Sequence, residues 1–202
     1  HRSLLLHTTL NDIRARFAGS LLGLAWLVFY PLLFLGTYAL VYIFVFKVRF
    51  ALFDSNEYVV LIFCGLIPFL GFAEALGTGV SSVTSNAGLI KNTLYPIELI
   101  PVKAVLASKC TQVVGTFMLL AAVGLLGRLG WWALLLPVVW LLQLMFTAGV
   151  IWILGSLNVI ARDLQNIVGI MTLILMMASP IAWTIEMIPP NIRPMVGRNP
   201  LY

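Results

Sequence analysis

The chain has 202 residues, of which 61% are hydrophobic and only 9% are charged, and its formal net charge is +5. Soluble domains contain about 25% charged residues, so this composition excludes an ordinary soluble domain. The basic residues flank apolar runs, where membrane topology and lipid headgroups account for them better than nucleic-acid binding does.

Five long runs carry almost no charge, at residues 17–46, 58–90, 110–127, 129–161 and 164–185. Each reaches or approaches the roughly 20 residues that a transmembrane helix needs. We therefore predict an all-α fold, a polytopic transmembrane helical bundle that occupies residues 21–185. Its five spans are expected near residues 21–46, 58–83, 105–126, 132–159 and 167–183.

Residues 1–20 precede the first span and are predicted to form an amphipathic interfacial helix. Leu6, Leu10, Ile13 and Phe17 recur at helical spacing on one face, and arginines lie beside that face. Such a helix lies in the membrane interface rather than crossing it. The alternative is that this segment extends the first span into water.

Prolines and aromatic residues mark the first two spans. A kink is expected at Pro31, and the second span is expected to be interrupted by Gly65 and Pro68. In the first span, aromatic residues recur every four positions at Trp26, Tyr30, Phe34, Tyr38, Tyr42 and Phe46. This spiral could line a route for sugar rings, which stack on aromatic faces, or it could pack as a ridge against neighbouring helices.

Glu74 is the one carboxylate within an apolar run. Ionisable groups inside a membrane are costly, so they usually face a cavity or a partner. Arg14 or Arg16 could reach this carboxylate near the cytoplasmic mouth. A proton relay is less well supported, because no second carboxylate or histidine lies at the same depth. A structural ion pair and a place on the transport pathway remain as the alternatives.

The connection at residues 86–103 is the longest between spans, yet it is too apolar for a solvated loop. A short helix with exposed apolar residues is expected to dock on a partner or to pack on its own bundle. With a cytoplasmic N-terminus, this segment is cytoplasmic, and seven basic residues, Lys109 included, lie inside against five outside.

The chain contains no phosphate-binding loop, so an ATP-driven motor would have to be another polypeptide. Its two cysteines lie at different depths, which argues against a disulfide or a metal site.

Residues 186–202 hold four prolines, which forbid a continuous helix and predict an outer cap, with Trp183 at its entrance.

Several strings of the sequence resemble the membrane subunit of ABC-type polysaccharide exporters, the family that includes O-antigen and teichoic-acid exporter permeases. The strings are Phe72-Ala-Glu-Ala-Leu76, residues 86–91, Tyr95-Pro-Ile-Glu-Leu-Ile-Pro101, Arg14-Ala-Arg16 with Gly19-Ser20, Arg162-Asp-Leu-Gln165, Ser179-Pro-Ile181 and Asn199-Pro-Leu201. They cover nearly the whole chain in the family's order. The family has a sixth span after the last string, whereas this sequence ends at Tyr202, as an incomplete subunit would.

The resemblance implies a homodimer of permeases, two ATP-binding subunits that hold ATP–Mg, an undecaprenyl-linked glycan substrate and a bacterial inner-membrane location. No catalytic residue, metal or cofactor is expected in this chain. Residues 86–101 would insert into a groove of the ATP-binding subunit. The expected coupling residues are Leu89, Ile90, Lys91, Leu94, Tyr95, Pro96, Glu98, Arg162 and Asp163. The expected translocation path comprises Trp26, Tyr30, Phe34, Tyr38, Tyr42, Glu74 and Trp183, closed outside by residues 186–202.

Two other functions are alternatives to polysaccharide export. A permease of the same architecture could export a drug or a lipid, and its site would be a closed pocket rather than a continuous aromatic-lined route. A membrane enzyme acting on lipid-linked sugars would need clustered acidic, histidine or metal-binding residues at one face. The carboxylates of this sequence are scattered, and both histidines lie in its first seven residues.

Overall fold

The computed structural model describes residues 2–41, 55–92 and 96–179, together with residues 181 and 191. Within these ranges every regular element is helical, which confirms the predicted all-α bundle. Three helices there are long and apolar enough to cross a membrane, and they cover Glu57–Val80, Leu99–Leu125 and Trp131–Ile160. They coincide with the second, third and fourth predicted spans.

The first and fifth predicted spans fall on shorter apolar helices. Helix α2 is Trp26–Leu40, which follows the 3-10 turn Gly23–Ala25, and α8 is Leu164–Ala178. Residues 42–46 of the first span, residues 180, 182 and 183 of the fifth, and most of the proline-rich segment at 186–202 lie outside the described residues. The count of five spans therefore stays a prediction.

Helix α1, Arg2–Phe17, occupies the segment for which the sequence predicts an amphipathic helix. The chain turns after it at Gly19, whose φ of 82° is readily adopted only by glycine. The helix packs against α6, while Leu10 on another part of its circumference is exposed. Its placement in a membrane interface stays a prediction.

Helix α3, Ser55–Val80, runs without a break, so the predicted interruption at Gly65 and Pro68 is wrong. Helix α2 is also continuous through Pro31, and the expected kink there stays a prediction. A proline removes one backbone hydrogen bond, and packing of α3 against α6, α7 and α8 offsets that loss. Gly65 marks a close approach rather than a break, because a Cβ there would lie 3.3 Å from the Ile181 side chain.

Helix α3 is the centre of the bundle. The elements after it are α4 (Ser82–Ser85), α5 (Ala87–Asn92), α6 (Leu99–Leu125), a 3-10 turn (Trp131–Leu135) and α7 (Leu136–Ile160). One buried cluster on α3 comprises Tyr58, Val59, Ile62, Phe63 and Leu66. A second joins α3, α6, α7 and α8 through Ala75, Leu76, Val80, Val105, Ala148, Ile151 and Val168.

Small residues set the register of the central helices. On α3, a Cβ at Gly71 would lie 2.4 Å from Oε1 of Gln112, whereas on α6 a Cβ at Gly115 would lie 3.2 Å from Ile67. Position 67 thus faces 115 and position 71 faces 112, so α3 and α6 are antiparallel. Glycines let membrane helices approach this closely, because no side chain separates the backbones.

Helix α6 begins at Leu99, six positions before the expected start of the third span. The turn that precedes it is closed by the bond from Leu99 N to Pro96 O, 3.1 Å long. Pro101 is tolerated in the first helical turn, where backbone N–H groups lack helical partners anyway. At the other end, Gly127 with φ of 66° allows the expected tight turn before α7.

Candidate functional site: a cavity between three helices and the adjoining end of the bundle

A cavity of about 470 Å³ lies between α2, α3 and α6. Its walls are mainly apolar and contain a few polar groups, the usual composition of a site for organic ligands. The residues that line it are Trp26, Leu27, Tyr30, Pro31, Ile67, Leu70, Gly71, Ala73, Glu74, Thr111, Gln112 and Gly115.

Three of the predicted path residues meet at this cavity, namely Trp26, Tyr30 and Glu74. The two aromatic side chains are 36% and 55% exposed, so their rings are accessible. Phe34 does not line the cavity, but its ring stacks on that of Tyr30 with centroids 6.3 Å apart. Phe34 also packs against the buried cluster on α3.

The remaining predicted path residues fall beyond what the structure describes. Tyr38 lies within α2, although its side chain is outside the described set. Tyr42 and Trp183 are both outside the described residues. The structure therefore describes Trp26, Tyr30 and Phe34 of the spiral, and its continuation toward Phe46 stays a prediction.

Two ion pairs tie α1 to the bundle beside the cavity. Arg16 Nη1 lies 2.5 Å from Glu74 Oε1 on α3, and both side chains are about 30% exposed. Lys103 Nζ lies 2.9 Å from Asp12 Oδ2. Positions 12 and 16 are one helical turn apart, so one face of α1 reaches both α3 and α6. The expected partner of Glu74 is therefore Arg16 rather than Arg14.

A buried polar network that was not predicted from the sequence crosses the bundle from the cavity wall at Gln112. Lys109 Nζ donates to Gln112 Oε1 at 2.6 Å, and Gln112 Nε2 donates to Gln143 Oε1 at 2.7 Å. Gln143 Nε2 donates to the carbonyl oxygen of Pro68 at 2.8 Å. The chain of bonds joins α6, α7 and α3. In the sequence, this network is indicated by a glutamine in each of two apolar runs, Gln112 and Gln143.

Those predicted coupling residues that the structure describes lie near the ends of the central helices, at one end of the bundle. Ile90 is half-buried on α5, and Pro96 is half-buried just before α6. Glu98 is exposed, and its carbonyl oxygen accepts a hydrogen bond from Trp152 Nε1 on α7 at 3.1 Å. This contact fixes the start of α6 against α7.

Arg162 and Asp163 are exposed in the turn between α7 and α8. This turn follows the end of α7 that packs on the last turns of α3, where Gly155 approaches the carbonyl oxygen of Gly79. Leu89 and Lys91 lie within α5, but their side chains are outside the described set. Leu94 and Tyr95 are wholly outside the described residues.

Comparison with known proteins gives a consistent result, although no family model matches the chain. The chain is 32% identical to an O-antigen export system permease protein RfbA of Klebsiella pneumoniae, covering 98% of this chain and 75% of the relative. A second RfbA of K. pneumoniae is 30% identical with the same coverage. RfbA of Myxococcus xanthus is 29% identical over 93% of this chain and 71% of its own length. At this identity and coverage, the chain belongs to the family of O-antigen export permeases.

Proposed function

We propose that this chain is the transmembrane subunit of an ABC exporter that moves lipid-linked O-antigen out of the cytoplasm. The observation that carries the proposal is the 32% identity to an O-antigen export permease over 98% of the chain. An exporter of drugs or other lipids is not favoured, because all three relatives are named as O-antigen export permeases. The chain performs transport rather than covalent chemistry.

The cavity between α2, α3 and α6 is proposed as part of the glycan route. Trp26 and Tyr30 offer accessible rings to the C–H faces of sugars, and the Tyr30 hydroxyl can bond to sugar hydroxyls. Phe34, stacked on Tyr30, continues this aromatic surface along α2. Several weak contacts of this kind suit a moving polymer better than one tight site would.

Coupling to ATP hydrolysis is proposed to enter at the end of the bundle that carries α5 and the start of α6. A separate ATP-binding subunit would press on residues 86–101, with Arg162 and Asp163 as a second contact. The Trp152–Glu98 bond would pass this movement to α7, and the Asp12–Lys103 pair would pass it to α1. Because α7 packs on α3 and α6, and α1 packs on α6, these links support a rigid connection between the docking segment and two helices of the cavity wall.

The complete exporter is proposed to contain two copies of the permease in the bacterial inner membrane, with each N-terminus in the cytoplasm. Its second partner is the ATP-binding subunit, which would hold ATP–Mg. The substrate would be an undecaprenyl-linked glycan.

The test is export in cells that synthesise lipid-linked O-antigen but lack this chain. We expect the polymer to accumulate inside these cells and to return to the surface when the chain is restored with its ATP-binding partner. The readout is the ratio of surface polymer, measured by antibody, to intracellular polymer, measured after lysis. Equal surface polymer with and without the chain would reject the proposal.

A further inference from the structure

Lys109 is a buried cation in a helix long enough to cross a bilayer. Lys109 is 9% exposed, and its ammonium group donates a hydrogen bond to Gln112 Oε1 at 2.6 Å. None of the ion pairs among the described residues includes it. An ammonium group has three N–H donors. Within the described part of the chain, two donors and a full charge therefore have no protein counterpart.

The neighbouring network holds this charge in place without neutralising it. Lysine has no acceptor, so Gln112 must turn its oxygen toward Lys109 and its nitrogen toward Gln143. Gln143 in turn donates to the carbonyl oxygen of Pro68. The oxygen and the nitrogen of each glutamine amide are both hydrogen-bonded, and every member of this network other than Lys109 is uncharged.

The charge lies next to the cavity. Gln112, which bonds to Lys109, forms part of the cavity wall. Since Gly71 faces Gln112 and the helices are antiparallel, Glu74 and Lys109 each lie one turn further toward the cytoplasmic end. Glu74 is nevertheless paired with Arg16. The described residues at this depth thus include two cations, Arg16 and Lys109, and one carboxylate, which leaves one positive charge uncompensated among them.

We propose that Lys109 is an anion-binding residue of the cavity and that it contacts the phosphate group that links the glycan to its lipid. This inference rests on the proposed transport function and adds a specific residue to it. An unpaired charge is costly in a membrane, and phosphate supplies both the opposite charge and several acceptor oxygens. The Lys109 side chain would exchange its Gln112 contact for the phosphate oxygens as the substrate passes.

The test is binding of radiolabelled polyprenyl diphosphate to the assembled exporter in nanodiscs of phosphatidylcholine, with the uncharged polyprenol as comparison ligand. We expect the unaltered protein to bind the diphosphate about tenfold more tightly or better, the size expected of a charge-assisted hydrogen bond. Lys109→Met should remove this preference, and Lys109→Arg should retain most of it. The control Arg128→Gln, which removes one charge from the outer Glu57 pair, should bind as the unaltered protein does.

Competition with inorganic diphosphate identifies the source of the anion. Displacement would assign the site to the phosphate group alone, whereas no displacement would assign it to phosphate held on a lipid. The inference is overturned if the unaltered protein binds polyprenyl diphosphate and polyprenol equally. It is also overturned if folded Lys109→Met keeps the preference for polyprenyl diphosphate. Should Lys109→Met fail to assemble, Lys109→Gln, which keeps a polar group without the charge, takes its place, and an unchanged preference in that variant overturns the inference. Export that depends on the chain, together with an unchanged preference in Lys109→Met, would remove only this inference.

Discussion

Arg16 and Glu74, 58 positions apart in the sequence, meet at 2.5 Å beside the cavity. The contact joins α1 to α3 and answers the requirement that a carboxylate inside an apolar span find a partner. It also places a guanidinium group at the edge of the proposed route. The charge state of the cavity wall therefore depends on how firmly α1 is docked.

The Arg16–Glu74 pair should contribute modestly to stability. Both side chains are about 30% exposed, so Arg16→Gln and Glu74→Gln should each lower the free energy of unfolding by about 1 kcal/mol or less. The double variant should lose no more than either single variant, as measured by denaturant unfolding in detergent. Arg14→Gln on the same helix is the control and should change nothing. Additive losses from the two single changes would show that the pair does not interact.

The Asp12–Lys103 pair should contribute more to stability than the more exposed Glu57–Arg128 pair. The Lys103 side chain is 5% exposed, so Asp12→Asn leaves a buried ammonium without its counter-ion and should cost about 2 kcal/mol. Arg128 is 71% exposed, so Glu57→Gln should cost about 0.5 kcal/mol. Unfolding of the two variants under identical conditions measures the difference. Equal losses would refute the ranking.

A side chain added at Gly71 should lower the stability of the protein, in contrast to one added at Gly77 on the same helix. A Cβ at Gly71 would lie 2.4 Å from Gln112 Oε1, and one at Gly77 would meet nothing within 4 Å. Gly71→Ala should therefore destabilise the protein by about 1–3 kcal/mol, because the α3–α6 contact must open. Gly77→Ala should be neutral or slightly stabilising, because alanine favours the helix. Thermal unfolding in detergent distinguishes the two, and similar midpoints would contradict the close packing.

The Trp152–Glu98 bond should affect coupling if residues 86–101 receive the ATP-driven movement. Trp152→Phe keeps an aromatic ring but removes the N–H that donates to the Glu98 carbonyl. We expect the polymer exported per ATP hydrolysed to fall about fivefold, the effect of losing one ordinary hydrogen bond. Trp132→Phe, in the 3-10 turn that precedes α7 and 82% exposed, is the matched control. An unchanged ratio in Trp152→Phe would remove this contact from the coupling route.

Features that depend on composition and local spacing were predictable from the sequence. Low charge over five runs predicts a helical membrane bundle, and a lone Glu74 predicts a cationic partner. The unbroken α3 was not predictable, because Pro68 and Gly65 weaken a helix locally while packing on three neighbours sustains it. The early start of α6 likewise depends on the turn at Pro96 rather than on hydrophobicity.

The buried network shows why part of the site lay beyond sequence reasoning. Lys109 and Gln112 lie one helical turn apart, but Gln143 belongs to another helix and Pro68 to a third. Their meeting depends on the register between helices, which the Gly71–Gln112 contact sets. A count of loop charges instead places Lys109 with the cytoplasmic residues, although it is buried in the bundle.

The most direct measurement is surface O-antigen in cells that express Trp26→Ala/Tyr30→Ala in place of the unaltered chain. Both rings line the cavity, and each aromatic contact contributes about 1 kcal/mol, so export should fall roughly thirtyfold at equal protein level. Phe29→Ala is the control, since Phe29 lies on the same helix, is 45% exposed and does not line the cavity. Its export should match that of the unaltered protein. Normal export by the double variant would contradict the assignment of the cavity to the glycan route.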